Sequence, residues 1–173
     1  IITASHDQPE HSFTSGGGDD AKVLRGPGEY EISGVFIYGI RAFRDNDKGK
    51  TRGKNTVYLM EMEGIKVCHL GDLGHALSAA QVEEISDTDI LLVPVGDAPT
   101  IDASSVSEIT NVISPKIVIP MHYKTDTTKA NLIPMDKFLK EMGVKQVSPL
   151  PKLVVNKPSL PIETQVIVLE HKQ

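Results

Sequence analysis

After residue 70 the apolar spacing changes from that of adjacent strands to that of helices alternating with strands, and this change restricts the fold more than any other feature of the chain. Residues 56–62 and 65–70 are two apolar runs split only by Glu63-Gly64, which is the pattern of a tight antiparallel hairpin. Beyond them, residues 78–85 carry apolar side chains at helical spacing, and 90–95 is a short continuous apolar run. Residues 102–113 then form a helix opened by an aspartate N-cap, and 117–121 a further strand. The order β-α-β-α-β calls for parallel strands joined by crossovers. Strands first and helix-separated strands later predict a layered α/β domain whose functional loops gather at one edge of a sheet.

The remaining segments fit around that core. Residues 1–5 are a short strand candidate, and 12–22, with Gly16-Gly17-Gly18, form a polar loop. Gly26-Pro27-Gly28 is a turn, 29–32 and 35–40 are strands, and 41–55 is a polar loop. Residues 134–142 read as a helix with Pro134 in its first turn and Gly143 at its end, while Val154-Val155 and 165–169 read as closing strands. At 173 residues the expectation is a single domain, 1–173. The chain opens on Ile1-Ile2-Thr3 and reaches a histidine motif within five residues, so it reads as amino-terminally truncated.

Charge and cysteine usage narrow the function classes. A formal net charge of −5 argues against broad binding to nucleic acid or acidic membranes, and no apolar run approaches the ~18 residues of a membrane span. Cys68 is the only cysteine, so no intramolecular disulfide framework exists and a cytoplasmic location is expected.

Chemistry concentrates in three segments: SHDQPEH at 5–11, HLGDLGH at 69–75 and IPMHYKT at 119–125. Each places histidine or carboxylate at a strand-to-loop junction. His6, His11, Asp72 and His122 are of the types that ligate zinc, manganese or iron, and a catalytic site needs three or four such ligands with one position open to water. A metal-free arrangement satisfies the same residues: Pro9 and Asp7 shaping a polar turn, and Gly71 and Gly74 allowing a tight turn that Asp72 caps. His69 and His75 are taken as structural. Lys48, Lys50, Arg52 and Lys54 alternate through a loop that is either a solvated hairpin or an attractor for a small phosphate- or carboxylate-bearing substrate.

These three segments, together with GPGEYEISGVFIYGI, RGKNTVY, DILLVPVGDAPTIDA and SPKIVIPMHYKT, make the chain resemble the metallo-β-lactamase superfamily. Within it, the likeness is to the branch of ascorbate-phosphate lactonase and related metal-dependent hydrolases. That resemblance implies an αββα sandwich with its metal site on the sheet edge, and first strands that lie upstream of Ile1. It implies a first metal site from His6, Gln8, a histidine near Arg44, and Asp72, and a second from Glu10, His11, Asp72 and His122.

Two positions depart from the pattern. Gln8 stands where a histidine is expected, and no histidine occurs between His11 and His69, so the loop histidine is replaced by Arg44. An amide oxygen is a weak ligand and a guanidinium cannot ligate at all. The expectation is therefore a metal-dependent hydrolase with an impaired first site. One zinc or manganese ion would sit on His11, Asp72 and His122 with His6 or Glu10 as partner, and ester, lactone or phosphoester hydrolysis would proceed by a metal-activated hydroxide. Asp72, Glu10 and His6 are its expected catalytic residues. The alternative is a non-catalytic binding or assembly module in which Arg44 pairs with Asp72 or Glu10. Self-association to a homo-oligomer is expected if an edge strand lacks its neighbour.

Overall fold

Hydrogen-bond pairing runs without interruption across seven strands, β3 to β9, arranged in sequence order. They are β3 (Gly28–Ile32), β4 (Val35–Phe43), β5 (Lys54–Met62), β6 (Ile65–His69), β7 (Ile90–Pro94), β8 (Ile117–Met121) and β9 (Gln165–Val166). β3 to β6 are antiparallel and β6 to β9 parallel. The computed structural model describes residues 1–8, 12–96, 101–128 and 131–171. The expected hairpin is present, with Glu63 and Gly64 both at positive φ (51° and 74°), which matches a two-residue turn to strand twist.

Strand register explains the two faces of this sheet. Leu59, Cys68, Leu91 and Val118 are successive cross-strand partners, and all four are buried beneath the helices α1 (Ala79–Glu84), α2 (Ala103–Ile113) and α3 (Asp136–Glu141). Full burial of each aliphatic side chain in such a row contributes roughly 1.5–3 kcal/mol. On the opposite face, Ile37, Met60, Val67, Ile90 and Ile117 form a second row. That row is covered at one end by Leu24 and at the other by Leu153, Val155, Leu160 and Ile167.

Leu24 belongs to a separate parallel pair, β1 (Ile2–Ala4) with β2 (Val23–Arg25); a strand was expected at 1–5, but its pairing was not, because three-residue strands carry too few side chains to show it. Tyr58 fastens this pair to the large sheet. Its ring is fully buried, and its hydroxyl lies 3.3–3.4 Å from the carbonyls of Ala4, Leu24 and Gly26, with burial raising its pKa. Gly39 makes the approach possible: a Cβ there would stand 2.8 Å from the Gly26 carbonyl, so the 26–28 turn rests directly on β4.

Four segment expectations need correction. The 41–55 loop is shorter, because Arg41, Ala42 and Phe43 extend β4 and pair with Thr56, Asn55 and Lys54. Asn55 is polar yet buried, and spends its amide on strapping the 70–72 turn. Val154-Val155 is not a strand: Leu153 and Val155 alternate onto the sheet face, but the ladder there is reduced to a single bridge, Leu150 with Leu169. The 134–142 helix is only Asp136–Glu141, with Pro134 ahead of it, and the 165–169 strand is only Gln165–Val166.

The Asp102 cap agrees with the sequence, and the structure adds one on α1 that was not expected. Ser78 and Gln81 form a capping box on α1, and the Asp102 carboxylate accepts the Ser105 N–H at 2.8 Å on α2, which lowers its pKa. No helix is long and apolar enough to cross a membrane, among the described residues.

Candidate metal centre

Asp72 sits on the turn that follows β6, and its position is fixed from three sides. Gly71 adopts φ +64° and leaves no room for a side chain, since a Cβ would lie 2.4 Å from Asn55 Oδ1. Asn55 donates to the Leu70 carbonyl at 2.8 Å and accepts the Asp72 N–H at 2.9 Å. Gly74 brings the same turn against the backbone of Arg44, where a Cβ would be 2.1 Å from the carbonyl carbon. Asp72 caps no helix, since α1 begins at its own Ser78 box.

The carboxylate of Asp72 is only 3% exposed, and its two oxygens meet different fates. Oδ2 receives Arg44 Nε at 2.5 Å, and Arg52 Nη2 lies 4.0 Å away. Arg44 is itself buried; it donates to the Arg52 carbonyl at 3.2 Å and to the side-chain oxygen of Gln8. The two residues that depart from the family pattern, Gln8 and Arg44, are thus partners of one another. Oδ1 has no hydrogen-bond partner among the described residues and faces His122 Nδ1 at 3.8 Å.

His122 follows β8 in the left-handed region, φ 54°, an uncommon conformation for a histidine that costs of order 1 kcal/mol or more. Gly96 packs directly beneath it: a Cβ there would meet the His122 carbonyl oxygen and Tyr123 Cα at 2.3 Å. A recess of about 220 Å3 is lined by His6, His69, Asp72 and His122, three of which are among the four expected ligands. His6 Nδ1 lies 2.9 Å from the Ser5 hydroxyl. Among the described residues no three His, Cys, Asp or Glu side chains are grouped tightly enough to hold an ion. Glu10 and His11 lie outside the described residues.

His69 stands closer to this recess than the sequence suggested. Its Nδ1 accepts the Gly71 N–H at 3.0 Å, which places its ring proton on Nε2, and burial lowers its pKa. Nothing in HLGDLGH distinguishes His69 from His75, because one-residue changes in register decide which wall each ring faces. His75 is engaged elsewhere: Phe43 N–H donates to its Nε2 at 3.1 Å and its Nδ1 lies 2.7 Å from the Ala76 carbonyl. Cys68, one residue from His69, is wholly buried, and its thiol pKa is pushed up to about 12, so it is no nucleophile.

A second, larger cleft of about 720 Å3 adjoins this recess and shares Ser5 and His6 with it. Its walls include Arg25, Arg41, Arg44, Arg52 and Lys54. The loop that delivers Arg52 is organised by Asp45, whose carboxylate accepts the N–H groups of Asp47, Gly49, Thr51 and Arg52 at 2.6–3.1 Å. These bonds, the one from Arg52 foremost, hold the Asp45 pKa below its usual value of 3.8. Lys48 and Lys50 of the same loop do not line the cleft, and Lys50 pairs with Asp47 instead.

Known proteins share this fold. The beta-lactamase superfamily domain matches residues 1–122. A crystal structure from Thermotoga maritima, assigned to the metallo-beta-lactamase superfamily and named as a candidate zinc-dependent hydrolase, is 40% identical. It superposes with a TM-score of 0.78 over 97% of this chain and 80% of its own. A UPF0173 metal-dependent hydrolase from Archaeoglobus fulgidus is 32% identical over 39% of this chain and 29% of its own length. One from Thermococcus onnurineus is 29% identical over 57% of this chain and 45% of its own length. The chain thus spans less than half the length of these two relatives. The α/β layering, the match over residues 1–122 and the likeness to the Thermotoga protein together make this chain a member of the metallo-β-lactamase superfamily.

Proposed function

We propose that this chain carries the centre of a metal-dependent hydrolase that works with one divalent ion, zinc or manganese, rather than two. The observation that carries this reading is the division of Asp72. Its Oδ2 is taken by Arg44, whereas its buried Oδ1 lacks a hydrogen-bond partner among the described residues. Leaving a buried carboxylate oxygen unsatisfied costs roughly 1–3 kcal/mol, and a cation shared with His122 would remove that cost.

The chemistry of the donors favours one ion over two, and a further ligand must join Asp72 and His122, since no three are grouped among the described residues. Asp72 Oδ1 and His122 would hold it, with a third donor from His6, Glu10 or His11. On the other side of Asp72, Gln8 and Arg44 are bonded to one another and leave no pair of strong donors. When bound, the ion would polarise the substrate's ester, lactone or phosphoester group and bring the pKa of a water toward ~7. Arg44 holds the Asp72 carboxylate in place, and supplies fixed positive charge where the family places its first ion. On this reading His6, which lines both the recess and the cleft, orients the attacking water, and Glu10, which lies outside the described residues, takes its proton.

Elemental analysis of protein prepared without chelators, followed by zinc and manganese titration, tests this. The expected result is close to one ion per chain, lost in H122A and rising toward two in Q8H/R44H. Less than about one-tenth of an ion per chain in both experiments would overturn the reading. It would favour a non-catalytic module instead, which the Arg44–Asp72–Gln8 network supports because it neutralises Asp72 without metal.

A further inference from the structure

β3 is an outer strand of the seven-stranded sheet and is paired on its β4 side alone, among the described residues. The turn Ser33-Gly34, at φ 53° and 78°, joins Ile32 directly to Val35. Ile32, Tyr30 and Gly28 therefore exchange hydrogen bonds with β4, while the N–H and C=O groups of Glu29 and Glu31 point off the sheet. No other segment bonds these groups, among the described residues. Register also fixes what stands beside them. Glu29 is opposite Tyr38 and Glu31 opposite Phe36, and on the other side of β4 these aromatics pair with Leu59 and Glu61. Leu59 lies in the row buried beneath the helices, so Tyr38 and Phe36 continue that face beyond its cover and remain 39% and 43% exposed. Lys66, the cross-strand partner of Glu61, reaches Asp87 at 3.2 Å instead, and Glu29, Glu31 and Glu61 have no ion pair among the described residues. On the reverse face of β3, Tyr30 and Ile32 are half-buried.

We propose that the β3 edge docks an extended segment of a protein partner whose side chains alternate between basic and apolar, adding it to the sheet as a new outer strand. The open backbone groups of Glu29 and Glu31 supply the main-chain pairing. Side chains alternate across a strand, so every second one meets the carboxylate face and the intervening ones meet Tyr30 and Ile32. Strands lie ~4.8 Å apart, which lets an arginine of the added strand pair with Glu29 or Glu31 and extend over Tyr38 or Phe36. A second copy of this chain is the wrong occupant. Antiparallel pairing of β3 with itself would set the glutamates of one copy against those of the other. Guarding an open edge accounts for the carboxylates, but not for two aromatic rings left uncovered beside them. Charge complementarity selects the basic partner, and nothing in this surface involves the metal centre.

The probe is a blocked hexapeptide alternating arginine and valine, titrated at low ionic strength into isotope-labelled protein and followed by amide shifts and amide exchange. A peptide of the same composition in block order, arginines first, and one with glutamate for arginine serve as comparisons. The alternating peptide is expected to bind with a dissociation constant below about 1 mM, more tightly than either comparison, and to slow exchange at the Glu29 and Glu31 amides. Affinity should fall about tenfold in E29Q/E31Q, and by several-fold in F36T/Y38T, where threonine keeps the strand propensity. E163Q, beside β9 at the far edge of the sheet, should leave it unchanged. If F36T/Y38T loses its far-UV circular dichroism, E29Q/E31Q and the exchange rates carry the test. No binding up to about 10 mM, equal binding of the block-order peptide, or unchanged affinity in E29Q/E31Q overturns the proposal. So does concentration-dependent dimerisation that protects the Glu29 and Glu31 amides without peptide, which would give the edge to a second copy.

Discussion

Replacing Arg44 by alanine tests the centre most directly, because the structure sets the size of the effect. Arg44 and Asp72 are a buried ion pair, with side chains 10% and 3% exposed and an N–O distance of 2.5 Å. Removing one member of such a pair strands the other and typically costs about 3–5 kcal/mol, far more than the pair contributes when intact. Arg52, 4.0 Å from the same oxygen, takes up part of the charge, so the lower end is expected, about 3 kcal/mol. With a urea slope of about 2 kcal/mol/M, the unfolding midpoint of R44A should fall by roughly 1.5 M. R44A/D72A should lose less than the sum of R44A and D72A, since the double variant strands no charge. Zinc at about a hundred times its dissociation constant should return close to 2.7 kcal/mol to R44A. A midpoint shift below about 0.3 M at unchanged slope would show that Asp72 does not depend on Arg44, and the division of its two oxygens between a guanidinium and an ion would no longer hold.

Two further outcomes follow from the loops. G74A should destabilise by about 2 kcal/mol or more in thermal unfolding, although Gly74 is not at positive φ, because its Cβ would press on the Arg44 backbone, which cannot yield; a neutral or stabilising effect would contradict that close approach. Asp45 has a folded pKa below its unfolded value, so its stabilisation is complete above pH ~3.8 and is lost as pH falls further; D45N, with one acceptor oxygen in place of two, should remove that acid-side loss and speed amide exchange at Thr51 and Arg52 at neutral pH.

Much of the architecture was legible in the sequence because it depends on local periodicity. The Glu63-Gly64 hairpin, the β-α-β-α-β order and the α2 cap rest on contacts between near neighbours. The Arg44–Asp72 pair was legible for another reason: a cation at a vacated ligand position has few partners other than the ligands that remain. The cationic cleft was not legible. Arg25 meets Arg41 and Lys54 only because the β1–β2 pair folds onto β4 and β5, and three-residue strands leave no periodic signal of that packing. Lys48 and Lys50 looked equivalent to Arg52 and Lys54 in the alternating run, and the four backbone bonds to Asp45 decide which of them face the cleft.

The guanidinium beside Asp72 differs from an ion in one respect that matters outside the folded molecule. It is tethered to its strand, so dialysis, a chelator or an ion-poor medium leaves it in place. The positive charge on one side of this carboxylate is therefore permanent, and on the one-ion reading only the His122 side exchanges with its surroundings. If the proposed one-ion function holds, shortage of metal would silence the centre without unfolding it, and resupply would restart it without rebuilding.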